Sequence, residues 1–256
     1  MWANKITQKP SNTGITWGPY TAVIVVIAIY IVAQIAGALI ISIYPALKGW
    51  NHAKADVWLN GSVMAAFWLT LMIEGIVLVL LWGYLKRRKS NFKEIGLRSK
   101  PKWETLLWVG FGYLIYIVPF IAIVELLHQF IPGFNIDQTQ EIGFNYNTHG
   151  QILWLVFISL VLLPPIVEEI LFRGFLYSGL KTKLPKIYAA LITSAIFASL
   201  HLLEGQGSLL WIAGLDTFIL SMVLVFLLEK TGNLYASIGL HMLKNTIAFV
   251  VLFHIS

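Results

Sequence analysis

The chain has 256 residues, of which 58% are hydrophobic and 12% are charged, and its mean hydropathy is +0.77. Ordinary soluble domains carry about 25% charged residues, so the composition excludes a soluble domain and predicts a polytopic membrane protein. The absence of cysteine excludes disulfides, thiolate metal sites and a cysteine nucleophile. The net charge of +6 is concentrated in one loop, and nothing in the chain supports nucleic-acid binding.

Seven runs are apolar and long enough to cross a bilayer, at about residues 20–44, 59–85, 106–127, 152–176, 187–203, 209–228 and 234–253. They predict an all-α bundle of about seven transmembrane helices, or eight with a short or re-entrant helix. We expect an N-terminal membrane region over residues 1–150, with about three of the helices, and a second domain over residues 151–256, with about four.

The basic residues predict the orientation. Eight of them crowd into one loop, namely Lys86, Arg87, Arg88, Lys89, Lys93, Arg98, Lys100 and Lys102. With the N-terminus inside, the inner segments hold fourteen Lys and Arg residues and the outer loops hold two, Lys48 and Lys54. The pattern therefore predicts a cytoplasmic N-terminus and an outer C-terminus. Within the basic loop, residues 92–97 form a short amphipathic piece that we expect at the membrane surface.

The fourth apolar run contains Glu168, Glu169 and Arg173. Each charge in hydrocarbon costs at least ~2.5–3.5 kcal/mol, so an intramembrane ionisable residue is by default a candidate functional residue with a partner. Glu169 and Arg173 are four positions apart and share a helix face, whereas Glu168 is rotated by roughly 100° from Glu169. The spacing therefore predicts that Arg173 neutralises Glu169 and leaves Glu168 available.

Two prolines, Pro164 and Pro165, lie just before the glutamates. They remove backbone donors and are expected to kink the helix, which frees carbonyl groups and makes room for water. This arrangement favours a buried hydrolytic site. A structural ion pair beside a protonated Glu168 is the alternative interpretation.

Further polar residues lie in the last spans. His201 lies near the end of the fifth run, and His241 and Asn245 lie four positions apart in the seventh, so they face one way. A single histidine in an apolar helix is more often a hydrogen-bonded core residue, but glutamate, two histidines and asparagine on three helices can converge on one site. We expect that site to open to the inner side of the membrane.

Four more ionisable residues lie in or near spans: Glu74, Glu125, Asp216 and Lys244. For each of them a helix end or a buried hydrogen bond is the simpler explanation. Asp216 and Lys244 are candidates for an ion pair with each other.

Three segments carry a family resemblance: Glu168-Glu-Ile-Leu-Phe-Arg173, Phe197-Ala-Ser-Leu-His201 and His241-Met-Leu-Lys-Asn245. They match the motifs EExxxR, FxxxH and HxxxN in order and spacing. The chain thus resembles the CAAX prenyl protease and bacteriocin-processing (CPBP or Abi) family of intramembrane proteases, which includes the Ras-converting enzyme of eukaryotes. The resemblance covers about residues 152–252.

With no cysteine and no serine in a G-x-S-x-G setting, the residues indicate water as the nucleophile. The resemblance implies that Glu168 and His201 activate the water and that His241 and Asn245 stabilise the oxyanion, with Glu169 and Arg173 in support. This mechanism needs no cofactor. Zinc held by Glu168, His201 and His241 is the alternative, since these are acceptable zinc ligands and the family has been called metalloprotease.

The sequence therefore predicts a CAAX-protease-like endopeptidase whose partners are membrane lipids and a protein or peptide substrate, with or without a lipid. We expect an integral protein of a bacterial cell membrane with its active site towards the cytoplasm. A non-catalytic protein of the bacteriocin self-immunity type is the alternative. A proton-coupled transporter using Glu168 is disfavoured because the chain shows no inverted repeat.

Overall fold

The computed structural model describes residues 14–98, 100–136, 138, 142–145, 147–202 and 209–254. These residues form helices and loops without a strand, which confirms the predicted all-α fold class. The helices are α1 (Pro19–Leu47), α2 (His52–Gly61), α3 (Val63–Arg87), α4 (Trp103–Phe130), α5 (Gly150–Leu180), α6 (Lys186–Leu202), α7 (Trp211–Thr231) and α8 (Tyr235–His254).

Within the described residues, six helices are long and apolar enough to cross a membrane: α1, α3, α4, α5, α7 and α8. The remaining predicted span is α6, an apolar helix of 17 residues. All seven predicted runs are thus helical, and six of them meet the length and composition expected of a span. The sequence missed α2. Its N-cap is Asn51, whose side chain accepts a hydrogen bond from the Lys54 amide at 2.9 Å.

Helix α5 is irregular in the part that carries the glutamates. Two π-helical segments, Ile158–Leu162 and Glu169–Tyr177, flank the regular turns Leu163–Glu168 that contain Pro164 and Pro165. Because proline has no N–H, the two carbonyls four positions earlier lose their helical donors. Interruptions of this kind often occur at functional sites.

The basic loop closes one end of the bundle. Ile95 in this loop is only 1% exposed, and a Cβ on Gly174 would lie 3.0 Å from the Ile95 carbonyl oxygen, so any larger residue there would crowd the loop backbone. Residues 92–96 form turns, and Ile95 packs into the core while Lys93 stays exposed. The location of this segment at the membrane surface stays a prediction.

The segment just before α1 packs against the same end of the bundle. Trp17 stacks on Phe175 at 4.7 Å between ring centroids, and its indole nitrogen donates to the Phe175 carbonyl oxygen at 3.2 Å. The predicted pair of Asp216 and Lys244 is present at 3.0 Å, and the Tyr116 hydroxyl also donates to Asp216. This network ties α4, α7 and α8 together.

The inner basic residues counted for the orientation include Lys5 and Lys9, which lie outside the described residues.

Candidate active site

All four residues predicted to act together line one cavity. Glu168 lies on α5, His201 on α6, and His241 and Asn245 on α8. The cavity has a volume of about 360 Å³, and α1, α3 and α7 complete its walls. The folded chain therefore brings together residues that are up to 77 positions apart in the sequence.

The cavity extends away from the basic loop. Among the described residues, its wall includes Ile142 and Phe144 from the segment between α4 and α5, and Leu252 near the end of α8, but no residue of the loop 86–102. The end beside that loop is filled by Trp17, Ile95 and their neighbours. The sequence placed both the basic loop and the open site on the cytoplasmic side. The described cavity wall extends away from the basic loop, and the side of the membrane that the cavity faces stays a prediction.

Glu169 and Arg173 form the predicted ion pair. The Arg173 Nη1 lies 2.9 Å from the Glu169 Oε1, and both side chains are fully buried. The same carboxylate oxygen lies 3.1 Å from the His241 Nδ1. Glu169 therefore links the cation on its own helix to the histidine on α8, a contact that the spacing within one helix does not predict.

Phe197 covers the rest of the arginine. The Arg173 guanidinium lies 4.3 Å from the Phe197 ring centroid, while its Nε and Nη2 have no hydrogen-bond partner among the described residues. A cation over an aromatic face is attracted by the ring quadrupole, most strongly where water is excluded. The aromatic residue of the FxxxH segment thus helps to retain a buried charge, a role that the sequence did not reveal.

The two glutamates have different surroundings. Glu169 is fully buried, whereas the Glu168 side chain keeps 25% of its surface exposed in the cavity wall. The Glu168 Oε2 lies 3.8 Å from the His241 Nε2, close but beyond hydrogen-bond distance. His241 therefore lies between the carboxylates, with one ring nitrogen bonded to Glu169 and the other beside Glu168.

His201 is oriented by its own helix. Its Nδ1 lies 3.2 Å from the Phe197 carbonyl oxygen. A carbonyl can only accept a hydrogen bond, so the Nδ1 carries the proton and the Nε2 of the neutral ring presents a lone pair. This tautomer suits a proton acceptor.

Asn245 is oriented by the irregular part of α5. Its Nδ2 donates to the Leu160 carbonyl oxygen at 2.9 Å. Leu160 is four positions before Pro164, whose missing N–H leaves that carbonyl free. The prolines therefore create the acceptor that holds the amide, and the amide keeps one further N–H for another partner.

Glu74 on α3 is an ionisable residue of the cavity that the sequence reading set aside. It lines the same cavity as Glu168, together with Gln34 and Thr70, and the two carboxyl groups are close enough to interact electrostatically. Its position inside an apolar span was a signal in the sequence. The contact with Glu168 depends on how α3 packs against α5, which the sequence does not specify.

The zinc alternative finds little support in this arrangement. Within the described residues, no three His, Asp or Glu side chains are placed so that they could share one metal ion. The contact of the His241 Nδ1 with Glu169 does not count against metal binding, because the Nε2 stays available as a ligand. Metal dependence stays a matter for experiment.

Residues 150–247 match the model of a family described as type II CAAX prenyl endopeptidase Rce1-like. This part of the chain is therefore similar to that family. The match and the six apolar helices together support an integral membrane protein related to a protease family, as the three sequence motifs predicted. No curated protein and no solved structure matches the chain.

Proposed function

We propose that this Rce1-like protein is an intramembrane endopeptidase that hydrolyses a peptide bond with water activated by Glu168 and His201. The observation that carries the proposal is the different placement of the two glutamates. Glu169 is sealed against Arg173 and His241, whereas Glu168 faces a cavity that His201 also lines.

The first step uses the two groups that can accept protons. A water between the Glu168 carboxylate and the His201 Nε2 donates a hydrogen bond to each of them. Glu168 takes one proton as the water oxygen attacks the scissile carbonyl carbon. General-base catalysis of this kind typically contributes ~10²–10⁴-fold in rate.

The second pair of residues stabilises the tetrahedral intermediate. Glu168 and Glu169 carry two negative charges and Arg173 carries one positive charge, so a proton on His241 balances the cluster. The His241 Nε2–H and the free N–H of Asn245 then donate to the oxyanion. Each such donor is worth ~10²–10³-fold in rate.

Collapse of the intermediate breaks the C–N bond. The water proton on Glu168 passes through His201 to the leaving nitrogen, so one product leaves as a neutral amine. The second water proton stays on the other product as a carboxylic acid, which then ionises by giving that proton to the amine. Both catalytic groups return to their starting protonation states. This sequence of steps balances without a metal or a cofactor.

The substrate class follows from the location of the cavity. A site enclosed by membrane helices takes a protein or peptide that is itself associated with the membrane, and the family name points to chains that carry a prenyl group. Surrounding lipids are the other partners. With the basic loop in the cytoplasm, the cavity would be reached from the outer half of the bilayer.

Orientation can be tested directly because the chain has no cysteine. Single cysteines in place of Lys100 in the basic loop and Asn145 near the cavity are labelled with a membrane-impermeant maleimide in intact cells. We expect labelling at position 145 and none at position 100 before lysis. The reverse pattern would place the cavity on the cytoplasmic side.

Proteolysis is tested with the purified protein in liposomes. A prenylated peptide ending in a CAAX sequence and the same peptide without the lipid are incubated with the wild type and with Glu168→Gln, and products are read by mass spectrometry. We expect cleavage by the wild type alone. If the wild type binds the peptides without cleaving either them or host membrane proteins, the non-catalytic immunity interpretation replaces the enzyme.

A further inference from the structure

A second concave region lies between α1 and α3 and is separate from the catalytic cavity. Its volume is about 380 Å³, and its walls include Val25 and Val32 on α1 and Val79, Gly83 and Arg87 on α3. Both helices are membrane-span candidates, and Val32 and Val79 are well exposed on their outer faces. We call this region the α1/α3 groove.

The groove has the length of an acyl chain segment within one leaflet. Residues 79–87 of α3 cover about 12 Å at 1.5 Å per residue, compared with roughly 15 Å for the hydrocarbon of a single leaflet. A Cβ on Gly83 would meet no atom within 4 Å. The missing side chain therefore leaves space that neither helix fills.

One end of the groove is cationic. Arg87 lies in its wall, and Lys86 and Arg88 are its neighbours at the start of the basic loop. Lys86 and Arg88 lie over the rings of Trp82 and Tyr84 at 5.0 and 5.5 Å. No ion pair joins Arg87 to a carboxylate in the part of the chain that the structure describes.

We propose that the α1/α3 groove is a binding site for a phospholipid with an anionic headgroup. One acyl chain lies along the apolar wall beside Gly83, and the phosphate lies at Arg87. Charge complementarity supports this occupant. The apolar groove ends at Arg87, which has no ion pair among the described residues, and the acyl chain of a phospholipid leads to a negatively charged phosphate. Basic residues at the membrane surface attract anionic lipids in the same way.

The site is independent of the proteolytic reaction. Its described lining residues include no carboxylate and no histidine. None of them also lines the catalytic cavity. The experiment therefore measures lipid binding alone. It uses the full chain in detergent, titrated with phosphatidylglycerol or with phosphatidylcholine of the same acyl chains and followed by native mass spectrometry.

We expect the wild type to bind the first phosphatidylglycerol at least about fivefold more tightly than phosphatidylcholine. About fivefold is the factor that one basic residue near an anionic lipid provides. Arg87→Gln should lose this preference but still bind both lipids. Its matched control, Lys100→Gln, removes the same charge from the loop outside the groove and should behave as the wild type.

Gly83→Leu should fill the groove and weaken the binding of both lipids by about tenfold or more. Gly75→Leu is its matched control, because a Cβ on Gly75 also meets no atom within 4 Å and the position does not line the groove. Ala28→Leu fills the groove from the α1 side, so the test does not depend on the folding of Gly83→Leu alone.

The proposal is overturned if both groove-filling variants bind lipid as the wild type does. It is also overturned if Arg87→Gln keeps the anionic preference, or if the two lipids bind equally to the wild type. Stronger binding of a free prenyl alcohol than of phosphatidylglycerol would assign the groove to an uncharged lipid instead.

Discussion

Replacing Glu169 by glutamine should destabilise the protein strongly. Glu169 and Arg173 are fully buried and 2.9 Å apart, and two of the arginine nitrogens already lack a partner in the described residues. Glutamine keeps an oxygen near Arg173 but removes the compensating charge. Breaking a buried pair in this way costs ~3–5 kcal/mol, which corresponds to a fall in Tm on the order of 10 °C.

A double variant separates charge from shape. Glu169→Gln combined with Arg173→Met removes both charges while keeping much of the volume, and such replacements are often neutral for stability. We expect it to regain most of the lost stability. Its activity should stay low, because neutral glutamine stabilises a protonated His241 less than the carboxylate does.

The assay is thermal unfolding in one detergent, read by tryptophan fluorescence, with peptide cleavage measured on the same samples. Glu125→Gln is the control, because that carboxylate is exposed near the end of α4. The reasoning is refuted if Glu169→Gln melts within about 2 °C of the wild type. It is equally refuted if the double variant is no more stable than the single one.

Three further outcomes are expected. Asn245→Ala should lower kcat by ~10²-fold or more with little change in KM, as for a contact made only in the transition state; a rise in KM at constant kcat would contradict this. Glu74→Gln should lower kcat by less than about tenfold and leave Tm nearly unchanged, since the amide keeps the size of the side chain and adds no charge beside Glu168; a complete loss of activity without unfolding would make Glu74 catalytic. Activity should survive exhaustive dialysis against a strong chelator, with less than stoichiometric zinc in the protein; loss that zinc reverses would make Glu168, His201 and His241 ligands.

Much of the site follows from local rules. The four-residue spacing of Glu169 and Arg173 predicted their ion pair, and the i to i+4 rule placed His241 and Asn245 on one face. The effect of Pro164 on the carbonyl four positions earlier is equally local. These predictions succeeded because each depends only on the geometry of one helix.

Other contacts needed the packing of separate helices. The bond between Glu169 and His241 joins α5 to α8, and the stacking of Phe197 on Arg173 joins α6 to α5. The entry of Glu74 into the cavity depends on α3. Hydrophobic patterns give the length of a membrane helix but not its rotation about its axis, so the sequence could not predict these contacts.

The direction in which the cavity extends was not visible in the sequence for a related reason. The positive-inside rule counts charges in loops. It carries no information on which end of a helix bundle is packed with side chains and which end holds a cavity. Ile95 appeared to be part of a surface segment, yet it fills the end beside the basic loop. The open space therefore lies towards the other end.

The kcat of Glu168→Gln, measured beside its thermal unfolding, tests the central claim most directly. Glutamine keeps the size of the side chain but cannot take a proton from water, and Glu168 keeps part of its surface in the cavity, so the fold should tolerate the change. We predict a kcat lower by ~10²–10⁴-fold with Tm unchanged. A Glu168→Gln protein that folds normally and cleaves its peptide at the wild-type rate would contradict the assignment of Glu168 as the group that activates water.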